Sequence, residues 1–123
     1  MPYPRWLAKI NKRLVNPREV TKGVRPVVIH RGRSSGTIYR TPLDAHPTKA
    51  GFVLVVRYGP ASDWVQNILA TGTAVLRLSG EEIQMGSPRL VSQQEAVDEL
   101  APEVELDADF LRAGHYLLMD RSD

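Results

Sequence analysis

Phe52-Val53-Leu54-Val55-Val56-Arg57-Tyr58-Gly59-Pro60-Ala61-Ser62-Asp63-Trp64-Val65-Gln66-Asn67 reads as a strand, a break and a helix. Its first five residues form an unbroken apolar, largely β-branched run. That is the pattern of a strand buried on both faces. Tyr58-Gly59-Pro60 breaks the strand. Ser62 or Asp63 can cap a helix, and Gln66 stands three residues after Asp63, as in a capping box. The helix is expected from Trp64 to Ala70, with Gly72 as the residue just past its end.

Working toward the N-terminus, Pro47 to Gly51 reads as a turn, and Ile38 to Leu43 as a strand. Pro42 marks that strand as an edge or an end. Arg31 to Thr37 is a polar, glycine-containing loop, and Val27-Val28-Ile29 is a short strand before it. Residues 4–16 have helical periodicity. Trp6, Leu7, Ile10 and Leu14 share one face, Lys9, Lys12 and Arg13 take the other, and Asn16-Pro17 ends the pattern.

Toward the C-terminus, Ala74 to Leu78 alternates as a strand does, Gly80 turns the chain, and Ile83 to Val91 is a further strand with a break at Gly86 or Pro88. Ser92-x-x-Glu95 is a capping box opening a helix to about Leu100. Asp107 caps a short helix to Ala113, and His115 to Met119 is the last strand. Short connections favour antiparallel pairing. About six strands with few helices give an α+β, mainly β class: a closed or nearly closed barrel, which also removes exposed edges. One domain is expected over residues 1–123, with the N-terminal helix at 1–16 and the barrel at 24–119.

The chain has no cysteine, which excludes disulfides, thiolate metal sites and a thiol nucleophile. The net charge is only +2, but it is unevenly spread. Arg5, Lys9, Lys12, Arg13, Arg18, Lys22, Arg25, Arg31, Arg33 and Arg40 face the single acid Glu19 in the first forty residues, whereas acids dominate from Glu81 onward. A basic half attracts anions such as nucleic acid, anionic lipid or a phosphorylated cofactor. No apolar leader and no run long enough to span a membrane is present, so a cytoplasmic protein is expected.

His30-Arg31-Gly32-Arg33-Ser34-Ser35-Gly36-Thr37-Ile38-Tyr39-Arg40-Thr41-Pro42 is the richest stretch chemically. Small residues let backbone N–H groups turn toward an anion, and arginine binds phosphate bidentately. A solvated hairpin loop has the same composition. At the strand-to-helix break, free N–H groups suit an anionic or carbonyl-rich ligand edge, and Trp64 either walls a flat ring or fills core. No conventional catalytic set is present. His30, His46 and His115 lack metal-ligand spacing, and no metal is expected. Neither GxGxxG nor a P-loop occurs. The catalytic residues stay unknown, and an enzyme of this composition needs a cofactor to carry the chemistry.

The two stretches together resemble the deazaflavin-dependent nitroreductase family. Gly32 to Leu43 is similar to its G-R-x-S-G-x-x-Y-R-T-P-L segment, and Tyr58 to Asn67 to its Y-G-P-x-x-D-W-V-x-N segment. The likeness is good over about Pro26 to Leu78 and looser elsewhere. It implies a flavin-reductase-like split β-barrel and coenzyme F-420, an 8-hydroxy-5-deazaflavin with a phosphodiester and an oligoglutamate tail. Arg33, Ser34, Ser35 and Gly36 would grip the phosphate and tail, with Tyr39, Arg40, Thr41 and Pro42 as the adjoining wall. Val56, Arg57, Tyr58, Gly59 and Ala61 would meet the ring, and Trp64 and Asn67 would complete its pocket. Ser34 stands where some members carry lysine, and Tyr116 is the sole tyrosine near the C-terminus, where the best-known branch has several.

The resemblance implies an oxidoreductase passing hydride from the reduced cofactor to a small acceptor: an enone, quinone or nitro compound. Three alternatives stay open: a split-barrel protein binding flavin mononucleotide (FMN), a non-enzymatic deazaflavin carrier, and a basic binder of nucleic acid or membrane surface. The expected partner is a small-molecule acceptor and not nucleic acid. Peripheral membrane contact through the N-terminal helix and a homodimer stay open.

Overall fold

The structure, a computed structural model, describes residues 25–122. The N-terminal helix expected over residues 1–16, with its membrane contact, lies outside them. Four strands come first: β1 (Val27–Arg31), β2 (Ile38–Pro42), β3 (Ala45–Pro47) and β4 (Gly51–Val56). Helix α1 (Asp63–Thr71) follows, then β5 (Thr73–Leu78), β6 (Glu81–Val91), α2 (Gln93–Glu99), α3 (Ala108–Ala113) and β7 (His115–Arg121). All strands join one antiparallel sheet in the order β2-β1-β5-β6-β7-β4-β3.

The two outermost strands, β2 and β3, are joined by Leu43 and Asp44 alone. Two residues span at most about 10 Å, so the sheet must curl until its edges approach. The backbone bridges the junction. Leu43 N–H donates to the Pro26 carbonyl at 2.9 Å, extending the β1–β2 ladder, and Val55 N–H donates to the Asp44 carbonyl at 3.0 Å, extending β3–β4. The sheet has seven strands where the sequence suggested about six. The additional strand is β3, because the passage from Ile38 to Pro47 is split at this bend.

Alternation along β4 divides the core. Phe52, Leu54 and Val56 face an interior cluster with Val28, Leu76, Met85, Leu117 and Met119, into which α1 sends Val65 and Ile68. Val53 and Val55 face outward against Ala96 of α2 and Phe110 of α3. Every residue of β4 is buried, as its apolar run implies. Gly51 closes the expected turn and opens this strand: Thr48 N–H donates to its carbonyl and its own N–H donates to Thr48 Oγ1, both at 2.9 Å, and a Cβ there would collide with the Met119 carbonyl oxygen of β7.

Local signals explain the remaining ends. Ser79 and Gly80 both have positive φ (50° and 85°), the pairing of a tight primed hairpin turn between β5 and β6. In β6 the pairing with β5 ends at Gly86, and a register shift between Gly86 and Arg89 lets the strand continue along β7 without ending. The Ser92–Glu95 capping box is complete, and Asp107 accepts from Phe110 N–H at 2.8 Å. Asp63 and Gln66 do not form one. Ser62 is the N-cap of α1, and the Gln66 amide donates to the Pro60 carbonyl at 2.8 Å. Among the described residues no helix is long and apolar enough to cross a membrane.

Candidate functional site

The loop between β1 and β2 is drawn tight by its own backbone. Gly32 N–H donates to the Thr37 carbonyl at 2.7 Å and Gly36 N–H to the Gly32 carbonyl at 3.0 Å. Ser35 Oγ accepts from Thr37 N–H at 3.1 Å, and Gly36 takes φ +74°, a conformation that favours glycine. Arg33 leaves this loop toward α1. Its backbone N–H and its Nη1 both donate to Asn67 Oδ1, at 3.1 and 2.7 Å. Its Nη2 meets the Asp63 carboxylate at 3.3 Å. Asp63 and Asn67 are four residues apart on one helix face, so one arginine reaches both.

Beneath this contact lies His30. It is 2% exposed, Asn67 is 4% exposed, and the two side chains meet at 3.2 Å. The other ring nitrogen of His30 is 2.9 Å from Thr41 Oγ1 on β2. Tyr39 stacks on the imidazole with centroids 5.7 Å apart. Burial pushes the His30 pKa down to about 4, so the ring is neutral at ordinary pH. His30 is thus a satisfied, buried histidine, and no group of metal-ligating side chains forms among the described residues.

These residues floor a groove of about 560 Å³, within the range of small-molecule sites. Of the residues expected from sequence, it brings together Arg33, Ser34, Ser35, Tyr39, Arg40, Thr41, Trp64 and Asn67. His30, Gly32 and Asp63 also line it. They stand within the stretches singled out from sequence but had no role assigned there. Among the described residues that line it, Asp63 is the only acid against Arg33 and Arg40, so their net charge is positive. Arg40 makes no ion pair with another described residue.

A second cavity of about 280 Å³ adjoins the first, sharing Thr41 and Trp64 with it. Pro42, Arg57 and Tyr58 line this smaller cavity, together with Arg25 and Ser62. Arg57 pairs with Asp44 and, at 3.7 Å, with Asp109; Arg25 reaches Asp44 at 3.4 Å. Burial alone would raise the Asp44 carboxyl, but the Arg57 hydrogen bond and the charges of Arg25 and Arg57 hold it below the ordinary carboxylate range.

Gly36, Val56, Gly59 and Ala61 line neither cavity. Val56 is fully buried with its side chain in the interior cluster. Gly59 has φ +89°, and a Cβ there would meet nothing within 4 Å. Part of the free hydrogen-bonding capacity expected at this break is used internally: Ser62 donates to the Gly59 carbonyl through both N–H (3.2 Å) and Oγ (2.8 Å). No side chain caps the first turn of α1. Trp64 is partly buried against the interior cluster and also walls both cavities, so it is core and site together.

No protein-family model and no curated protein matches the chain. Among solved structures, one described as a domain-swapped dimer is similar, with a TM-score of 0.55 and 17% identity over 94% of this chain and 97% of that one. At that identity the likeness concerns the fold, a mostly β, curled antiparallel architecture with few helices.

Proposed function

We propose that this chain is a split-barrel oxidoreductase that binds coenzyme F-420 in the basic groove and reduces a small acceptor beside it. The observation that carries the reading is that two cations, Arg33 and Arg40, two serines and Trp64 line one groove. Such a site fits a ligand with an anionic tail and a flat ring. The motif resemblance and the absence of a catalytic set agree with borrowed hydride chemistry.

Arg33, Arg40, Ser34 and Ser35 hold the anionic tail. Tyr39, Thr41 and Trp64 bound the path inward, with the ring toward the strand-to-helix break after β4. Bound there in reduced form, the cofactor supplies hydride, and the protein's part is to orient it and exclude water. The smaller cavity past Thr41 and Trp64 takes the acceptor: an enone, quinone or nitro compound. A homodimer belongs to the same reading, since the similar solved structure is described as a domain-swapped dimer.

Fluorescence titration with coenzyme F-420 alongside FMN tests the reading. Saturable binding of coenzyme F-420, with oxidation of its reduced form by an added enone or quinone, is the expected result. Binding of FMN alone would assign the groove to the flavin branch. Tight binding of coenzyme F-420 without turnover would make the protein a carrier.

A further inference from the structure

The hydrogen bonds beneath the groove have only one consistent donor order. Arg33 N–H and its guanidinium can only donate, so the Asn67 atom they share is Oδ1. Asn67 Nδ2 therefore faces His30, and an amide nitrogen can only donate. His30 Nδ1 must accept with its lone pair. In a neutral imidazole the proton then sits on Nε2, which is the nitrogen 2.9 Å from Thr41 Oγ1. Thr41 Oγ1 accepts that proton, which turns its own hydroxyl hydrogen away from His30. Among the described residues none accepts from Thr41, and Thr41 lines both cavities.

We infer that His30 is a positioning residue: through the order Arg33–Asn67–His30 it occupies one lone pair of Thr41 Oγ1 and leaves the hydroxyl hydrogen available at the junction of the two cavities, favouring a ligand that brings an oxygen acceptor there. Burial of His30 keeps it neutral and so preserves the order, with its pKa at about 4. Tyr39 stacked on the ring holds its plane. With one of its two lone pairs taken by His30, the hydroxyl offers a ligand its O–H and a single remaining lone pair, so the junction favours a carbonyl or oxyanion oxygen over an N–H. The ligand's identity rests on the function proposed above; the tautomer does not.

The test has two arms. In the first, imidazole nitrogen NMR of the ligand-free protein at neutral pH should find His30 protonated on Nε2 and bare on Nδ1. In Asn67→Asp, whose carboxylate only accepts, His30 should gain a proton on Nδ1. In the second, coenzyme F-420, FMN and inorganic pyrophosphate are titrated into wild type, Thr41→Ser and Thr41→Val. Thr41→Val should lose roughly tenfold in affinity for whichever probe binds, and Thr41→Ser should retain it. A wild-type His30 protonated on Nδ1 would overturn the inference whatever the probes do. Equal affinity in Thr41→Val would overturn the presentation of the hydroxyl. Wild-type binding of FMN or pyrophosphate but not coenzyme F-420 would sink the proposed function alone. Binding of none of the three would sink both.

Discussion

Asn67 holds Arg33 at two points, accepting from its backbone N–H at 3.1 Å and from its guanidinium at 2.7 Å. Loop position and cation position are thereby set by one buried amide on α1. The two residues should therefore fail differently. The Arg33 pair with Asp63 is exposed and contributes about 0–1 kcal/mol. Arg33→Ala should weaken coenzyme F-420 binding ~10- to 100-fold, the loss of a charge-assisted pair, with little change in melting temperature. Asn67→Ala should weaken binding too, but it also strands His30 Nδ1 and should cost about 1–3 kcal/mol of stability. Titration and thermal melts of both variants separate the cases. An Arg33→Ala protein with undiminished affinity would remove Arg33 from the site.

The lowered pKa of His30 makes stability depend on pH. The unfolded side chain titrates near its ordinary value of 6.5 and the folded one near 4. Above pH 6.5 neither state holds the proton, and His30 contributes no pH dependence. Below it the unfolded chain takes up a proton that the fold refuses, so stability falls until pH drops below the folded value. The loss should reach about 2 kcal/mol by pH 5, at ~1.4 kcal/mol per pH unit. Asp44, held low, contributes stability that disappears only at more acid pH. Urea unfolding between pH 7 and 5 should therefore show a steeper loss in wild type than in His30→Gln. Parallel curves would mean that His30 is not buried neutral.

Gly59 offers a test of where the ring lies. Open space surrounds its missing Cβ, so the protein itself does not demand glycine by packing; the φ of +89° does. Asparagine tolerates positive φ better than other residues, whereas valine does not. Gly59→Asn should fold with a small stability loss, and Gly59→Val should lose about 1–2 kcal/mol more. If the ring approaches this backbone, both should lose coenzyme F-420 binding. Gly59→Asn that folds and binds as wild type would place the ring elsewhere.

Features fixed by neighbouring residues were legible in the sequence. The Ser92–Glu95 box, the Asp107 cap, the turn at Gly80 and the doubly buried β4 each depend on a few consecutive positions. The loop from Gly32 to Gly36 was legible for the same reason. What depends on distant partners was not. Ala45-His46-Pro47 has no strand composition and is a strand because Phe52 to Leu54 pair with it. Gly51 was legible as a turn residue, but not that the Met119 carbonyl of β7 occupies its Cβ position. His30 could be read as satisfied, but its role needs Asn67, 37 residues away, and the groove closes only when Arg33 meets that same residue across 34.

Trp64 is the residue on which the structural role and the proposed ligand-binding role meet, and its fluorescence can report both. It packs against the interior cluster and walls both cavities. The chain has only two tryptophans, so Trp6→Phe leaves Trp64 as the single emitter. Stacking of a deazaflavin ring near the indole should quench that emission saturably, with a midpoint equal to the one seen in the cofactor's own fluorescence. Truncation has two separable consequences. Trp64→Ala removes a partly buried aromatic and should cost about 1–3 kcal/mol, less than the 3–5 kcal/mol of a fully buried one. It should also weaken coenzyme F-420 binding by at least tenfold, through the lost ring contact. Trp64→Phe restores most of the packing and a flat wall, so it should recover stability and most of the affinity. Quenching that is absent in the Trp6→Phe protein while coenzyme F-420 still binds would put the ring away from Trp64. The indole would then serve the interior alone.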